Sequence, residues 1–170
     1  MEKTNVLINK ARIEKRIEEM AKEIEKDYEG KEIVFLGTLK GAMPFMWELA
    51  KRIKNNIIFE FIQVSSYKGT QSTGIITLEK DIRNSIEGKD VIIIEDIVDT
   101  GKTLDFLLKL LKEKNPNSVK IATLLSKPSR RVYELNVDYI GFKIDDKFVV
   151  GYGLDYEENL RNLPYVGYIE

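Results

Sequence analysis

The chain has 170 residues, of which 43% are hydrophobic and 32% charged, and 27 basic residues stand against 28 acidic ones. This length and balance predict one soluble globular domain with its own core, and they favour neither a nucleic-acid nor a membrane partner. Cysteine and histidine are both absent. Disulfides, Ser-His-Asp triads and the usual zinc sites are therefore excluded, and acid–base chemistry must come from Asp, Glu, Lys or Tyr.

The first half of the chain begins with an amphipathic helix whose apolar residues recur at helical spacing. These residues are Ile13, Ile17, Met20, Ile24 and Tyr28. Apolar runs predict strands over residues 33–36, 57–64 and 75–78, and a helix is predicted over residues 45–53. Glycine-bearing stretches predict loops over residues 37–41 and 68–74.

The second half continues the alternation of strands and helices. Strands are predicted over residues 91–94, 119–125, 139–142 and 148–152. A helix after residue 103 has a core face made of Leu104, Leu107, Leu108 and Leu111. This order indicates an α/β protein with a doubly wound, mostly parallel sheet and helices on both faces.

The segment after the strand at residues 91–94 has the clearest chemical pattern. Glu95 and Asp96 follow the apolar run directly, and Asp99 comes before a turn that opens the next helix. Ligands of open α/β sheets bind at the carboxyl ends of the strands. The acid pair suits ribose hydroxyls or Mg²⁺, and the turn suits one phosphate, so a ribose 5-phosphate fits both. The predicted phosphate-binding residues are Thr100, Gly101, Lys102 and Thr103.

The same turn matches the end of a Walker A loop, which would indicate an ATPase. That motif requires a glycine five positions before its Gly-Lys pair, and Asp96 holds this place. A carboxylate there would repel a triphosphate, so the pattern disfavours the ATPase interpretation.

On the residues alone, ordinary structural roles stay open for several of these positions. Asp99 is equally typical of a turn or of a helix N-cap. Adjacent side chains alternate across a strand, so a joint site of Glu95 and Asp96 requires a turn of the backbone. Lys40-Gly41 is typical of a tight turn, and the polar residues 65–74 are typical of a hairpin loop.

Five segments together resemble the hypoxanthine-guanine branch of the type I phosphoribosyltransferases. The segment from Glu95 to Thr103 is similar to that family's phosphoribosyl pyrophosphate (PRPP) motif. The others, in the family's order, are Leu39-Lys40-Gly41, Ser65-Ser66-Tyr67, Lys127-Pro128 and Lys147 to Tyr156. The resemblance runs from about Asp27 to Gly167. It implies the type I phosphoribosyltransferase fold in a single domain of residues 1–170, with a small hood built from the N-terminal segment and roughly residues 143–170.

The resemblance implies transfer of phosphoribosyl from PRPP to N9 of hypoxanthine or guanine, giving IMP or GMP and pyrophosphate. It implies that Asp99 faces N7 of the purine and that Lys127 binds the exocyclic O6, which would disfavour adenine. Phe148 would stack on the base, the backbone of Val149 would contact the ring edge, and Asp155 would lie near the purine 2-position.

The PRPP side of the site follows from the same resemblance. Glu95 and Asp96 would hold the ribose hydroxyls, and Mg²⁺ would bind Glu95, Asp96 and Asp155. The loop of Lys40 and Gly41, often with a cis peptide in the family, would bind pyrophosphate, as would Arg161. Ser66 and Tyr67 would contact pyrophosphate from a lid over residues 65–74. The residues expected to act in catalysis are Asp99, Lys127 and Arg161.

Several further expectations complete this interpretation. The family suggests a homodimer or homotetramer, and the cytoplasm is the default location because residues 1–5 lack a signal-peptide core. Asp145 replaces the family's usual proline, which predicts a looser turn before Phe148. Two alternatives stay open: a xanthine-preferring transferase, and a nucleotide-sensing RNA-binding regulator that keeps the PRPP fold. The charge balance does not favour the regulator.

Overall fold

The computed structural model describes residues 3–67 and 74–170, with only the backbone of Tyr67. Within these residues the chain forms two β-sheets, three α-helices and a 3-10 turn (Pro128–Arg130). The helices are α1 (Lys10–Asp27), α2 (Met43–Ala50) and α3 (Lys102–Lys112). The strands are β1 (Thr4–Ile8), β2 (Ile33–Thr38), β3 (Ile57–Tyr67), β4 (Ile75–Lys80), β5 (Asp90–Val98), β6 (Ser118–Ser126), β7 (Tyr139–Lys143), β8 (Val149–Val150) and β9 (Val166–Ile169).

The larger sheet has the strand order β4-β3-β2-β5-β6-β7. All of its pairs are parallel except β3 with β4, which is antiparallel. Residues of α1 and α2, among them Ile17 and Phe45, are buried in one core, and residues of α3, such as Leu107, are buried in a second core. Because α1 and α2 contribute to one core and α3 to the other, the predicted α/β architecture with helices on both faces of the sheet is confirmed.

A smaller antiparallel sheet has the order β1-β9-β8. Thr4 pairs with Ile169, and Val149 pairs with Tyr168, so this sheet joins the two ends of the described chain. The sequence did not predict β1 or β9, because each is short and its partner is distant in the chain. The assignment of these segments to a hood, and of the chain to one domain, stays a prediction.

The strands that carry the site are longer than predicted. The predicted end of the strand at residue 94 is wrong, because β5 continues through Glu95 and Asp96 and keeps its parallel register with β6 to Val98. The loop predicted over residues 37–41 is also wrong at its start. Gly37 belongs to β2, where a Cβ would collide with Sδ of Met46, so α2 packs closely on the bare backbone.

Other predicted boundaries move by a few residues. The helix predicted over residues 45–53 is α2, which begins and ends earlier. Of the strand predicted over residues 148–152, only Val149 and Val150 form a strand, which is β8. Gly151 and Tyr152 have φ values of 88° and 51°, which lie outside the extended region. Of the loop predicted over residues 68–74, residues 68–73 lie outside the described part. None of the described helices is long and apolar enough to cross a membrane.

Candidate active site

Most of the residues predicted for the PRPP side line two cavities at the carboxyl ends of β2 and β5, whereas Lys127, Phe148, Val149 and Asp155 line neither of them. One cavity, of about 260 Å³, is lined by the continuous segment of residues 95–104. An adjoining cavity, of about 270 Å³, is lined by residues of the loop after β2, of β3 and of the chain's last third. Both cavities share Glu95, Asp96 and Thr103, so the acid pair lies between them.

The acid pair is held by neighbouring strands and loops. Glu95 is buried, and its Oε2 accepts a hydrogen bond of 2.8 Å from Oγ1 of Thr38 on β2. Asp96 is partly exposed, and its Oδ1 accepts a 2.7 Å bond from the backbone N–H of Ile97. A Cβ at Gly41 would collide with the Asp96 carboxyl group, so glycine lets the loop after β2 approach the acid pair. Sequence reasoning did not single out Thr38.

Burial controls the ionisation of both acids. Burial raises the pKa of Glu95 well above its ordinary value, and the charge of Asp96 raises it further. Asp96 is only partly exposed, and this removal from water raises its pKa to about 6, although the Ile97 hydrogen bond and the charge of Arg161 oppose the rise. Oε1 of Glu95 is buried and has no hydrogen-bond partner among the described residues. A cation or a hydroxyl donor beside this pair would therefore be favourable.

The carboxylates of this site suit Mg²⁺ only if a bound substrate and water supply the remaining coordinating oxygens. In residues 3–67 and 74–170 no group of three or more acids is arranged to hold a metal ion. Asp155 is instead engaged with the backbone N–H of Glu158, at 2.9 Å, and with Arg161, at 3.5 Å. Mg²⁺ commonly binds one or two carboxylates and takes its other ligands from water and substrate phosphates. The acid pair with its unsatisfied oxygen matches that pattern.

The predicted phosphate turn forms the start of α3. Gly101 precedes the helix with φ of 89°, a left-handed conformation that glycine adopts without strain. The backbone N–H of Lys102 lies 3.3 Å from Oγ1 of Thr100. All four predicted residues, from Thr100 to Thr103, line the 260 Å³ cavity. The amides and dipole at the start of this 11-residue helix suit a phosphate group.

Asp99 lies just after β5 and is bound by two arginines that the sequence did not reveal. Its Oδ1 accepts a 2.9 Å bond from Nε of Arg130, and its backbone carbonyl accepts a 3.1 Å bond from Nε of Arg131. The only sequence signal was two adjacent arginines shortly after Lys127-Pro128. These contacts form because the segment after β6 lies against the end of β5.

Lys127 follows β6 and is almost fully buried. Its Nζ lies 3.3 Å from Oδ1 of Asp146, whose other oxygen lies 3.7 Å from Arg130. Phe148 is 56% exposed and packs edge-on against Tyr156, with ring centroids 5.9 Å apart. An exposed aromatic ring offers a face on which a flat base can stack.

Val149 and the turn before Phe148 belong to the predicted purine side of the site. Val149 is buried in β8, where it pairs with Tyr168. The predicted looser turn before Phe148 contains a 2.8 Å bond from the Lys147 amide to the Asp145 carbonyl. The backbone of this turn is therefore constrained locally without a proline.

The loop after β2 has a cis peptide between Leu39 and Lys40, the feature that the family resemblance suggested. Lys40 pairs with Glu158 at 2.8 Å. Arg161 donates from NH1 to the carbonyl of Gly153 at 2.7 Å, while its buried Nε has no partner in the described part of the chain. Lys40, Gly41 and Arg161 all line the 270 Å³ cavity.

The predicted lid is only partly described. Ser66 lies in β3, pairs with Ile76 and lines the 270 Å³ cavity. The backbone of Tyr67 pairs with Ile75, but its side chain and residues 68–73 lie outside the described part. The side chain of Lys102 lies against Gly74, where this segment rejoins the described chain.

Comparisons with known proteins agree with this geometry. Residues 4–157 match the phosphoribosyl transferase domain family. The hypoxanthine-guanine phosphoribosyltransferase of Streptococcus pneumoniae is 48% identical over 166 residues, which cover 97% of this chain and 92% of that protein. The Staphylococcus aureus protein of the same name is 49% identical over 95% of this chain and 91% of its own length. In the bifunctional protein TilS/HprT of Listeria monocytogenes, which is 46% identical over 97% of this chain, the match spans 26% of the relative.

Solved structures give the same result. A hypoxanthine-guanine phosphoribosyltransferase from Bacillus anthracis, with a HEPES molecule in its active site, superposes with a TM-score of 0.93. It is 42% identical, and the match covers 99% of this chain and 98% of that one. The chain therefore belongs to the phosphoribosyltransferase family and, within it, to the hypoxanthine-guanine phosphoribosyltransferases, the enzymes of purine salvage. Its fold is the type I phosphoribosyltransferase fold.

Proposed function

We propose that this chain transfers the phosphoribosyl group of PRPP to N9 of hypoxanthine or guanine and releases pyrophosphate. One observation carries the proposal: among the described residues, the 270 Å³ cavity is lined by two residues with unpaired buried polar atoms, Oε1 of Glu95 and Nε of Arg161. Buried polar groups are rarely left without partners, so a ligand should supply an atom to each. PRPP has hydroxyls for the acid and phosphate oxygens for the guanidinium.

The reaction breaks the bond between C1′ and the pyrophosphate oxygen and forms the bond between N9 and C1′. In this proposal Asp99 receives the proton that leaves N7 of the base. Lys127 donates to O6, and Phe148 and the Val149 backbone hold the ring. Catalysis then rests mainly on positioning and on fixed charges beside the reacting groups.

The PRPP side uses the residues around the two cavities. Arg161 and Lys40 receive the pyrophosphate, helped by Ser66, Tyr67 and the Gly41 loop. Glu95 and Asp96 hold the ribose hydroxyls, and Mg²⁺ would bind this pair, with Asp155 close by. When bound, Mg²⁺ neutralises pyrophosphate and helps it leave. The 5′-phosphate lies in the turn of Thr100, Gly101, Lys102 and Thr103.

The proposal extends to the whole chain. We propose that residues 1–170 act as one domain, with the β1-β9-β8 sheet as a hood beside the base. We also propose a homodimer or homotetramer in the cytoplasm, with PRPP and a 6-oxopurine as the partners, and with no nucleic acid or membrane partner.

The deciding experiment measures nucleotide product from PRPP and Mg²⁺ with hypoxanthine, guanine, xanthine and adenine in separate reactions. We expect fast turnover of hypoxanthine and guanine and little adenine product. If xanthine is turned over much faster than the other bases, xanthine would replace hypoxanthine and guanine as the proposed substrate. No product with any base, from folded protein that still binds PRPP, would overturn the proposal. An RNA shift assay would then test the regulator alternative.

A further inference from the structure

Glu158 bridges the two cations that the proposed function assigns to pyrophosphate. Its Oε2 lies 2.8 Å from Nζ of Lys40, and its Oε1 lies 3.3 Å from NH2 of Arg161. The backbone N–H of Glu158 donates to Oδ2 of Asp155 at 2.9 Å, which fixes the turn that presents this side chain. One carboxylate thus places one oxygen on each cation, as two oxygens of a phosphate group would.

The two cations are also accessible from the cavity. Lys40 and Arg161 line the 270 Å³ cavity, whereas Glu158 does not. The lysine ammonium has three N–H donors and meets one carboxylate oxygen, while the guanidinium has five and also binds the Gly153 carbonyl and Asp155. Nε of Arg161 is buried and finds no partner within the described residues. An anion in the cavity would therefore meet the same two charged groups that Glu158 holds.

We propose that Glu158 is an internal competitor of pyrophosphate that limits how tightly Lys40 and Arg161 hold it. This inference rests on the proposed function. Without Glu158, Lys40 would keep no ion pair among the described residues and Arg161 would keep only that with Asp155, so both would bind the released pyrophosphate more strongly and slow its departure. A carboxylate beside them offers a replacement partner as the product leaves, so it lowers the affinity for pyrophosphate without touching the reacting atoms.

The competition predicts the direction and the salt dependence of a substitution. Glu158→Gln removes the negative charge and keeps the size of the side chain. Because Glu158 and Lys40 are largely exposed, and only Arg161 is mostly buried, each pair contributes modestly, and we expect pyrophosphate to bind about three- to ten-fold more tightly. The gain should shrink as the salt concentration rises, because salt screens exposed charges. A merely structural role would instead weaken binding at every salt concentration.

Glu157 supplies a matched control. It precedes Glu158, is exposed, and has a similar backbone conformation, with φ of 49° against 67° for Glu158. Unlike Glu158, it forms no ion pair in the described part of the chain. Glu157→Gln therefore removes the same charge from the same turn and leaves Lys40 and Arg161 paired as before.

The experiment measures the Kd of Mg²⁺-pyrophosphate by titration calorimetry, and its Ki against PRPP, at low and high NaCl for both variants and the natural chain. The expected result is a lower Kd and Ki for Glu158→Gln alone, with the difference largest at low salt. Equal or higher values for Glu158→Gln, or no pyrophosphate binding by any protein, would overturn the inference. If the natural chain turns over hypoxanthine normally in that case, the proposed function survives and only the role of Glu158 is lost.

Discussion

Arg130 donates its Nε–H to Oδ1 of Asp99 across 2.9 Å, although the two residues lie 31 positions apart. Arg130 also approaches Asp146, which in turn pairs with Lys127. The carboxylate proposed to accept the N7 proton and the cation proposed to bind O6 thus belong to one chain of charges. A shift of Arg130 or Asp146 would therefore change the positions of both Asp99 and Lys127 relative to the base.

Asp99→Asn should lower kcat about 100-fold or more, because an amide cannot accept the N7 proton. The amide oxygen can still accept from Arg130, so the turn should keep its shape and PRPP affinity should change less than about three-fold. Steady-state kinetics and a PRPP titration check this. Asp145→Asn, which changes an acid outside this chain of charges, is the control, and unchanged kcat in Asp99→Asn would remove Asp99 from the mechanism.

Lys127→Met should reduce kcat/KM for hypoxanthine and guanine about 10- to 100-fold, because a charged hydrogen bond to O6 is lost. The methionine stem keeps the packing of this nearly buried side chain. Adenine turnover should fall much less, so discrimination between oxo and amino purines should narrow. Kinetics with the three bases test this, with Lys143→Met as the surface control. An equal loss for all three bases would argue against recognition of O6.

Thr38→Val should destabilise the fold by about 1–3 kcal/mol, because the buried Oε2 of Glu95 loses its hydrogen bond from Oγ1 of Thr38. Urea unfolding at neutral pH measures the change. The double variant with Glu95→Gln tests the assignment, because two residues in direct contact should show a coupling free energy. Additive effects would show that the two side chains act independently.

The stability of the ligand-free protein should depend on pH through Asp96. Its folded pKa is raised to about 6 from an ordinary 3.8, so the folded state holds this proton more tightly than the unfolded state. The free energy of unfolding should therefore fall as pH rises between about 4 and 6, by about 1–3 kcal/mol. Asp96→Asn should lose this part of the dependence.

Urea unfolding of the natural chain and of Asp96→Asn at pH 4.5 and 7.5 would measure the difference. Asp105→Asn, which removes an acid paired with Lys109 on the surface of α3, is the control. A natural chain that gains stability relative to Asp96→Asn on going to pH 7.5 would contradict the raised pKa.

The local chemistry of the site was readable in the sequence, because it lies in one continuous segment. The acid pair, Asp99 and the turn that opens α3 form an uninterrupted order of residue types, and all of them line one cavity. The boundaries were less predictable. The two acids do not end the strand, since β6 pairs with β5 as far as Val98, and a single sequence contains no sign of such pairing.

The sequence by itself determined the core face of α1, the strand–helix alternation and the order of residues around Asp99, because each depends on neighbours within one or two turns of chain. Tertiary structure alone decided the rest. Thr38 reaches Glu95, Arg130 reaches Asp99, and Glu158 reaches both Lys40 and Arg161 only after strands and loops distant in sequence are brought to one edge of the sheet. Contacts of this kind depend on strand order and loop path, which local residue patterns do not specify.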